Sequence, residues 1–232
     1  MELSVDVLLP TRAPAPWLAE ALDGLNAQVG CTWRLIAVVH GDPGELTPLI
    51  LARVPDAVIV PMPSDARLQD LLNAGLDACT APYVARQDHD DIPEPTRLAV
   101  QRNFLDEHPS VFAVGSAATI IDERGDEVGI RRLPVGAEVL RLLRWKSALV
   151  HPSVMFRRAA VDEAGGYDPG ATHAEDYELW LRWLERDLAP RARAYSQQPD
   201  SGYHGFGHSV FVARAAALLA GSAVQAAAPA AA

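Results

Sequence analysis

The feature that most constrains the fold is an alternation of short apolar runs with helical stripes of apolar residues. In the first half, the apolar runs that end in proline, glycine or polar residues are 5–9, 35–39, 57–60 and 83–87. Between them apolar residues recur at helical spacing, for example at Leu68, Leu71, Leu72 and Leu76. Strands that alternate with helices predict an α/β protein, with a mostly parallel sheet covered by helices on both faces.

The second half is less regular. Its predicted elements are a strand at 111–121, a basic amphipathic helix at 138–146, a strand at 153–156 and a helix at 174–186. Trp180 and Trp183 share one face of the last helix with Asp176, and their spacing predicts core anchors rather than a sugar platform. We expect one domain over 1–205, with halves at 1–110 and 111–205, followed by a helix and an Ala-rich tail over 206–232.

Charge and composition restrict the partners. With 49% hydrophobic and 22% charged residues, the chain has the composition of a folded globular domain. Thirty acidic residues against 20 basic ones give a net charge of −10, which argues against nucleic acid as a partner. An anionic ligand would therefore need local positive charge at its binding site, such as a few arginines or a divalent metal.

Signals for export or membrane insertion are weak. The two cysteines, Cys31 and Cys79, do not form a disulfide framework, and no basic residue precedes Arg12 as a secretory signal requires. The Ala-rich end is too weakly apolar to predict a membrane span. We therefore expect a reducing, cytoplasmic location, with peripheral association at the inner face of the membrane left open.

An acidic cluster follows the fourth apolar run, at the edge where open parallel sheets bind ligands. Asp88, Asp90 and Asp91 lie within four residues and repel one another. A divalent cation that bridges them to phosphate oxygens would relieve this repulsion. The alternative is a solvated acidic turn that caps the next helix through Asp91 and Glu94. The acidic residues alone leave both interpretations open.

Several segments occur in a familiar order. The chain has VLLPT at 7–11, LNAGL at 72–76, YVARQDHDD at 83–91 and RL at 97–98. It continues with HPSVMFRR at 151–158, AGGYD at 164–168 and AEDYELW at 174–180. Over about residues 5–183, these blocks resemble the family-two glycosyltransferases, which have the GT-A fold.

This resemblance implies an inverting transfer of a sugar from a nucleoside-diphosphate donor to a hydroxyl acceptor, with Mn²⁺ or Mg²⁺. It makes 1–110 the half that binds the nucleotide sugar and 111–205 the acceptor half. Asp88 and Asp90 become the two acids of the D-x-D motif, with Asp90 and Asp91 on the metal and Asp88 near the donor ribose. The other residues that the resemblance places on the donor side are Pro10, Thr11, Asp42, Asn73 and Arg86.

The resemblance makes Asp176 the base that accepts the proton of the acceptor hydroxyl. Asp176 occupies the position of the aspartate in the family's Glu-Asp pair. It lies in the first turn of a predicted helix, where the helix dipole favours negative charge. The acceptor-side candidates are Glu175, His151, Gly166 and Tyr167. Taken alone, Asp176 and Glu175 are also typical of simple helix-dipole complements, and Arg86 of a partner to the acidic cluster.

Two departures from the family pattern concern the donor. After the second strand the family usually carries an acidic pair, whereas this chain has His40, Gly41 and Asp42, of which only Asp42 can substitute. The departure leaves the base open: UDP is the default donor nucleotide, and GDP and dTDP are the alternatives. Where relatives place a late histidine the chain has Gln198, and His204 or His208 could replace it.

Other functions remain in competition. The main alternative is a catalytically silent nucleotide-sugar binding or scaffold protein with the same fold. A nucleotidyltransferase would need a glycine-rich phosphate loop near the first strand, which residues 11–16 lack. The basic stretch 141–146 is either an edge for a lipid-linked or anionic acceptor or an ordinary surface helix.

Overall fold

Strands and helices alternate through the first hundred residues of the computed structural model, as predicted. The structure describes residues 3–13, 15–132, 142, 145, 147, 149–183, 195–197 and 211–214. Its strands are β1 (Val5–Arg12), β2 (Trp33–His40), β3 (Val58–Met62), β4 (Tyr83–Arg86), β5 (Ile92–Pro93), β6 (Ala113–Ser116), β7 (Ala118–Ile121), β8 (Glu127–Arg131), β9 (Met155–Arg157), β10 (Tyr195–Gln197) and β11 (Phe211–Arg214). Its α-helices are α1 (Leu18–Asn26), α2 (Pro43–Arg53), α3 (Leu68–Ala78), α4 (Arg97–Glu107), α5 (Arg158–Ala164) and α6 (Glu175–Trp183), and a 3₁₀ turn spans His151–Ser153.

The main sheet is mixed but mostly parallel. Within the described ranges, seven strands pair in the order β10-β6-β9-β4-β1-β2-β3. β1 runs parallel to β2 and β4, and only β9 is antiparallel to its neighbours β4 and β6 among these strands. Val5 of β1 lies opposite both Trp33 and Tyr83, so the carboxyl ends of the central strands meet at one edge. Ligand sites form at this edge in open sheets of this kind.

Alternate side chains of β1 enter two apolar layers. Leu8 packs into a layer with Leu72 of α3 and with α6, and Val7 and Leu9 pack into the opposite layer with α1, α2 and α4. The predicted aromatic anchors are confirmed, because Trp180 and Trp183 are 1% and 0% exposed, with ring centroids 5.2 Å apart in an edge-to-face contact. Both faces of the sheet are therefore covered, as an alternating α/β chain requires.

Helix α3 approaches the sheet unusually closely at Gly75. A Cβ atom there would lie 2.1 Å from Cδ1 of Leu8 and 2.8 Å from Cγ2 of Val38. Any side chain at this position would collide with the buried side chains of Leu8 and Val38, so the glycine serves the packing of the helix against the sheet.

The prediction of one strand over 111–121 is wrong. The segment forms β6 and β7, which belong to different sheets. The hydroxyl of Ser153 accepts from the backbone N–H of Ser116 at 3.1 Å and lies 3.2 Å from its carbonyl oxygen, where β6 ends. A distant side chain thus satisfies the backbone at the break, and this contact has no local signal in the apolar run.

The second sheet joins distant parts of the chain. Its order among the described residues is β5-β11-β7-β8. Residues 211–214 are therefore strand, and the expectation of a helix within 206–232 is wrong for these four residues, whose Phe-Val pair has high strand propensity. The rest of that segment and most of the predicted helix at 138–146 lie outside the described residues. None of the helices described is long and apolar enough to cross a membrane.

One buried carboxylate ties the start of β1 to two neighbouring segments. Asp6 is 0% exposed and accepts from Nε and Nη2 of Arg34 in β2 at 2.9 and 3.0 Å. It also accepts from the backbone N–H groups of Thr80 and Ala81, before β4, at 2.6 and 2.8 Å. Asp6 therefore fixes the order of the central strands at the edge opposite the ligand edge.

We predict that Asp6→Ala lowers the free energy of unfolding by about 3 kcal/mol, because it leaves two backbone donors and a guanidinium without their acceptor. Asp162→Ala is the matched control, since it removes a carboxylate that is 60% exposed and paired with Arg158. The control should cost less than about 1 kcal/mol. Urea denaturation measures both free energies of unfolding, and equal losses in the two variants would contradict the structural role of Asp6.

Candidate active site

The ends of β1 and β4 place several predicted donor-side residues at one edge. Pro10 and Thr11 of β1 lie opposite Val38 and Val39 of β2. Thr11 is 3% exposed, and its hydroxyl makes no hydrogen bond to the described residues. A buried hydroxyl without a protein partner suits a ligand contact, because buried polar groups are nearly always paired.

The acidic loop follows β4 directly. One carboxylate oxygen from each of Asp88, Asp90 and Asp91 lies within 4.8 Å of the others. Burial and the charge of Asp88 raise the pKa of Asp90. Carboxylate oxygens in this number and spacing suit a hard divalent cation such as Mg²⁺ or Mn²⁺. The three predicted acids are therefore together and are chemically suited to a cation.

A buried glutamine holds the backbone of this loop. Nε2 of Gln87 donates to the carbonyl oxygens of Asp88 and Asp91 at 2.9 and 2.7 Å. Its Oε1 accepts from Nη1 of Arg97 at 2.8 Å, and Nη2 of Arg97 donates to the carbonyl oxygen of Arg86 at 2.7 Å. Gln87 and Arg97 are both 0% exposed. The loop therefore rests on a buried polar layer rather than on apolar packing.

Arg97 continues this layer along α4. Its Nε donates to Oε1 of Gln101 at 3.2 Å, and Nε2 of Gln101 donates to the carbonyl oxygen of Ser153 at 2.7 Å. Burial lowers the pKa of Arg97 to about 9, and Asp91 opposes this shift, so the guanidinium stays charged at neutral pH. Sequence reasoning missed Gln87 and Gln101. The available signal was the helical spacing of Arg97, Gln101 and Leu105, which puts two polar residues on the same face of α4 as a buried apolar one.

Arg86 pairs with the acidic loop. It is 2% exposed, and its Nη2 lies 2.6 Å from Oδ1 of Asp88. Burial acts to raise the pKa of Asp88, but the charge and hydrogen bond of Arg86 outweigh it and hold that pKa below its usual value. The pairing expected from the residues alone is confirmed, and a role of Arg86 toward donor phosphates stays a prediction.

In the second half of the chain, His151 and Tyr167 form one side of the candidate site, which we call the wall. Nε2 of His151 and the hydroxyl of Tyr167 are 2.8 Å apart. Nδ2 of Asn73 donates to the carbonyl oxygen of Tyr167, and its Oδ1 accepts from the N–H of Tyr167, both at 2.8 Å. A Cβ at Gly166 would lie 2.4 Å from Oδ1 of Asn73, so this approach requires glycine. Asn73 thus connects α3 to the wall.

Burial controls the protonation of this wall. It lowers the pKa of His151 to about 4, Arg86 acts in the same direction, and the charges of Asp176 and Asp88 oppose the shift. Burial also raises the pKa of Tyr167 above its usual value. The wall is therefore uncharged at neutral pH. Because Asp88 and Asp176 both act on His151, the acidic loop and the start of α6 belong to one electrostatic cluster.

Asp176 lies in the first turn of α6. Its Oδ1 accepts from the N–H of Tyr177 at 2.7 Å, and its Oδ2 accepts from the hydroxyl of Ser147 at 3.1 Å. Burial raises the pKa of the neighbouring Glu175, and the charge of Asp176 adds to the shift. Ser147 is 29 residues away in sequence, and no local pattern indicated this contact. The carboxylate of Asp176 is thus held at both oxygens.

Asp42 lies at the ends of β1, β2 and β3, beside a cleft of about 240 Å³. The cleft is also lined by Arg12, His40 and Ser64. The Asp42 side chain accepts from the N–H of Gly44 at 2.8 Å and caps α2. Its predicted contact with the nucleotide remains a prediction. Gln198, His204 and His208 lie outside the described residues.

Sequence comparisons identify relatives of the chain. A model of glycosyl transferase family 2 matches residues 6–165. The amylovoran biosynthesis glycosyltransferase AmsE of Erwinia amylovora is 35% identical over 183 residues, covering 77% of this chain and 68% of that protein. An Escherichia coli UDP-Gal:alpha-D-GlcNAc-diphosphoundecaprenol beta-1,3-galactosyltransferase is 31% identical over 114 residues, covering 49% of this chain and 41% of that protein.

Solved structures share the fold at low identity. S. aureus TarS 1–349 in complex with UDP-GlcNAc has a TM-score of 0.67 at 15% identity and covers 91% of this chain and 58% of that chain. The mannosyltransferase PcManGT of Pyrobaculum calidifontis, in complex with GDP-Man and Mn2+, has a TM-score of 0.59 at 21% identity, covering 86% and 58%. The chain thus spans less than two thirds of these solved chains.

The mixed, mostly parallel sheet with its acidic loop after β4 has the GT-A fold, as the sequence predicted. The chain belongs to glycosyl transferase family 2.

We predict that His151→Gln flattens the dependence of stability on pH. The folded-state pKa of about 4 lies below the ordinary value of 6.5, so the stability linked to neutral His151 is complete above pH 6.5 and is lost as the pH falls toward 4. The wild type should lose on the order of 2 kcal/mol more than the variant over this window, measured by urea denaturation. Tyr167→Phe should keep the wild-type dependence, because burial is the main cause of the shift. Identical slopes in the wild type and His151→Gln would contradict the prediction.

We also predict that Gln87→Met weakens Mn²⁺ binding at least about tenfold, because it removes the amide that donates to the backbone of the acidic loop without adding charge beside it. Gln101→Met is the matched control, since it makes the same change in the same buried layer but touches Ser153 instead of the loop. Both variants should melt at lower temperature, and only Gln87→Met should lose Mn²⁺ affinity in calorimetric titration. Equal Mn²⁺ affinities would show that Gln87 does not shape the cation site.

Proposed function

We propose that the chain transfers a sugar from a nucleoside-diphosphate donor to a hydroxyl acceptor, with inversion at the anomeric carbon and with a divalent cation. One observation carries the proposal: carboxylate oxygens of Asp88, Asp90 and Asp91 lie within 4.8 Å of one another in the loop that follows β4. The loop suits a cation that accompanies a diphosphate, and Asp176 suits proton transfer. A solvated acidic turn would need neither the buried layer under the loop nor a second carboxylate beside it.

On the donor side, Asp90 and Asp91 hold Mn²⁺ or Mg²⁺, and Asp88 faces the ribose while paired with Arg86. A bound cation supplies Lewis-acid neutralisation of the charge on the leaving diphosphate. Thr11 and Pro10 line the nucleotide at the end of β1, with Asp42 at the end of β2. Asn73 acts indirectly, because both polar atoms of its amide are engaged by the backbone of Tyr167.

UDP is the donor nucleotide that we propose first. TarS has been solved with UDP-GlcNAc, which supports UDP, and PcManGT has been solved with GDP-Man, which keeps GDP as the second choice. The cleft lined by Arg12, His40 and Ser64 lies after β2, where the family usually carries an acidic pair. We propose that the residues of this cleft select between UDP and GDP.

On the acceptor side, Asp176 takes the proton as the acceptor oxygen attacks the anomeric carbon. The new glycosidic bond forms while the bond to the diphosphate breaks, and a single displacement inverts the configuration. Ser147 and the N–H of Tyr177 fix the carboxylate plane. Glu175, Gly166 and the neutral pair His151 and Tyr167 line the acceptor.

The acceptor that we propose is a lipid-linked saccharide. The Escherichia coli UDP-Gal:alpha-D-GlcNAc-diphosphoundecaprenol beta-1,3-galactosyltransferase supports a sugar that is linked through a diphosphate to a lipid. We propose that the reaction takes place at the cytoplasmic side of a membrane, with peripheral contact through the basic stretch 141–146.

We predict that Asp176→Asn lowers the transfer rate at least about a hundredfold, because it removes the base, and leaves nucleotide binding intact. Asp90→Asn should abolish the Mn²⁺-dependent rise in melting temperature with UDP, since it removes a cation ligand. Asp162→Asn, a carboxylate-to-amide change on the exposed face of α5, is the control. Transfer is followed by release of the nucleoside diphosphate, and binding by thermal shift with UDP, GDP and dTDP, each with and without Mn²⁺.

Two outcomes would overturn parts of the proposal. Full transfer activity in Asp176→Asn would remove this residue from the reaction. Metal-dependent nucleotide binding by a wild type that transfers sugar to no acceptor would instead identify a silent nucleotide-sugar binding protein.

A further inference from the structure

Strand β8 is an exposed edge of the second sheet. It lies at one end of the order β5-β11-β7-β8 and, within the described residues, pairs with β7 alone. Four of its five residues are exposed and Arg131 is half-buried. The outward edge of β8 therefore presents backbone N–H and C=O groups that can pair with another strand.

The side chains of β8 do not discourage such pairing. Val128 and Ile130 are 59% and 53% exposed, although both are large and apolar. Edge strands avoid association by inward charges, by proline or by a bulge that twists the edge away, and of these β8 has the bulge, with no proline and with charge only at its two ends. The ladder with β7 shifts register so that Glu127 lies opposite Ile121 and Gly129 opposite Ile120. Val128 is the extra residue of this bulge and is not paired with β7.

The sequence of β8 is complementary to itself in the antiparallel sense. It reads Glu127, Val128, Gly129, Ile130, Arg131, which is acidic, apolar, glycine, apolar and basic. A twofold axis at Gly129 would place Glu127 opposite Arg131 of a second copy, and Val128 opposite Ile130. The same patch on both copies would thus make two ion pairs and two apolar pairs, as an isologous interface requires. A shift by one residue would place either Glu127 opposite Ile130 or Arg131 opposite Val128, and would separate the two apolar pairs.

We propose that two copies of this chain associate through antiparallel pairing of their β8 strands. The pairing extends the second sheet across the twofold axis. In this sheet β5, which follows the acidic loop, lies at the opposite end from β8, so the interface leaves the candidate active site open. The proposal does not depend on the proposed function.

The test uses charge reversal on the full chain, followed by sedimentation velocity over a range of concentrations. The wild type should sediment as a dimer. Glu127→Arg and Arg131→Glu should each raise the dissociation constant at least about tenfold, because each change places like charges opposite one another at both symmetry-related positions. The double variant, which restores opposite charges, should dimerise again.

Mixing the two single variants gives the most specific test of the pairing. One strand then carries Arg at positions 127 and 131 and the other Glu at both, so the mixture should form a heterodimer that is tighter than the dimer of either variant alone. Ile130→Asp should also give monomers, and circular dichroism checks that each variant is folded.

Three results would overturn the proposal. A wild type that stays monomeric would show that the β8 edge is free or covered by another part of the chain. Dimers that persist in both single variants would place the interface elsewhere. Failure of the double variant and of the mixture to dimerise would exclude the antiparallel register.

Discussion

The candidate site depends on a buried positive charge beneath its negative loop. Three carboxylates within 4.8 Å repel one another, and an unsupported loop would separate them. Arg97 prevents this through Gln87, whose amide binds the backbone on both sides of the acids. The guanidinium is fully buried and satisfied by three polar partners, so removing any of them would leave buried polar groups unpaired. The buried polar layer therefore allows the three carboxylates to lie close together and also fixes the conformation of their loop.

The wall of the site is attached to the sheet by close approaches rather than by large side chains. Gly75 brings α3 against β1 and β2, and on the same helix Asn73 holds the backbone of Tyr167. Gly166 permits that contact, since a Cβ there would collide with the amide. His151 then hydrogen-bonds Tyr167, so its position relative to the acidic loop is transmitted through α3. Helix α3 thus connects the two halves of the chain.

The sequence predicted the elements whose signal is local and missed the contacts that are distant. The parallel strands and the tryptophan anchors followed from periodicity, because each apolar run or stripe packs on its own face. The break between β6 and β7 did not, because Ser153, 37 residues away, satisfies the backbone of Ser116 there. The acids of the loop were visible as a cluster, whereas Ser147, which holds Asp176, lies in no motif. Tertiary contacts of single polar residues leave too little pattern for sequence reasoning to find.

The distribution of charge explains why the proposed reaction would divide its tasks between two places. Burial keeps His151 and Tyr167 neutral at pH 7, so the wall can contact a sugar without adding charge. Arg86 is already paired with Asp88, and a donor diphosphate would bring further negative charge to the same edge. A divalent cation on Asp90 and Asp91 would balance that charge more effectively than the occupied guanidinium can. Asp176, whose carboxylate accepts a hydrogen bond from Ser147, would then serve proton transfer alone.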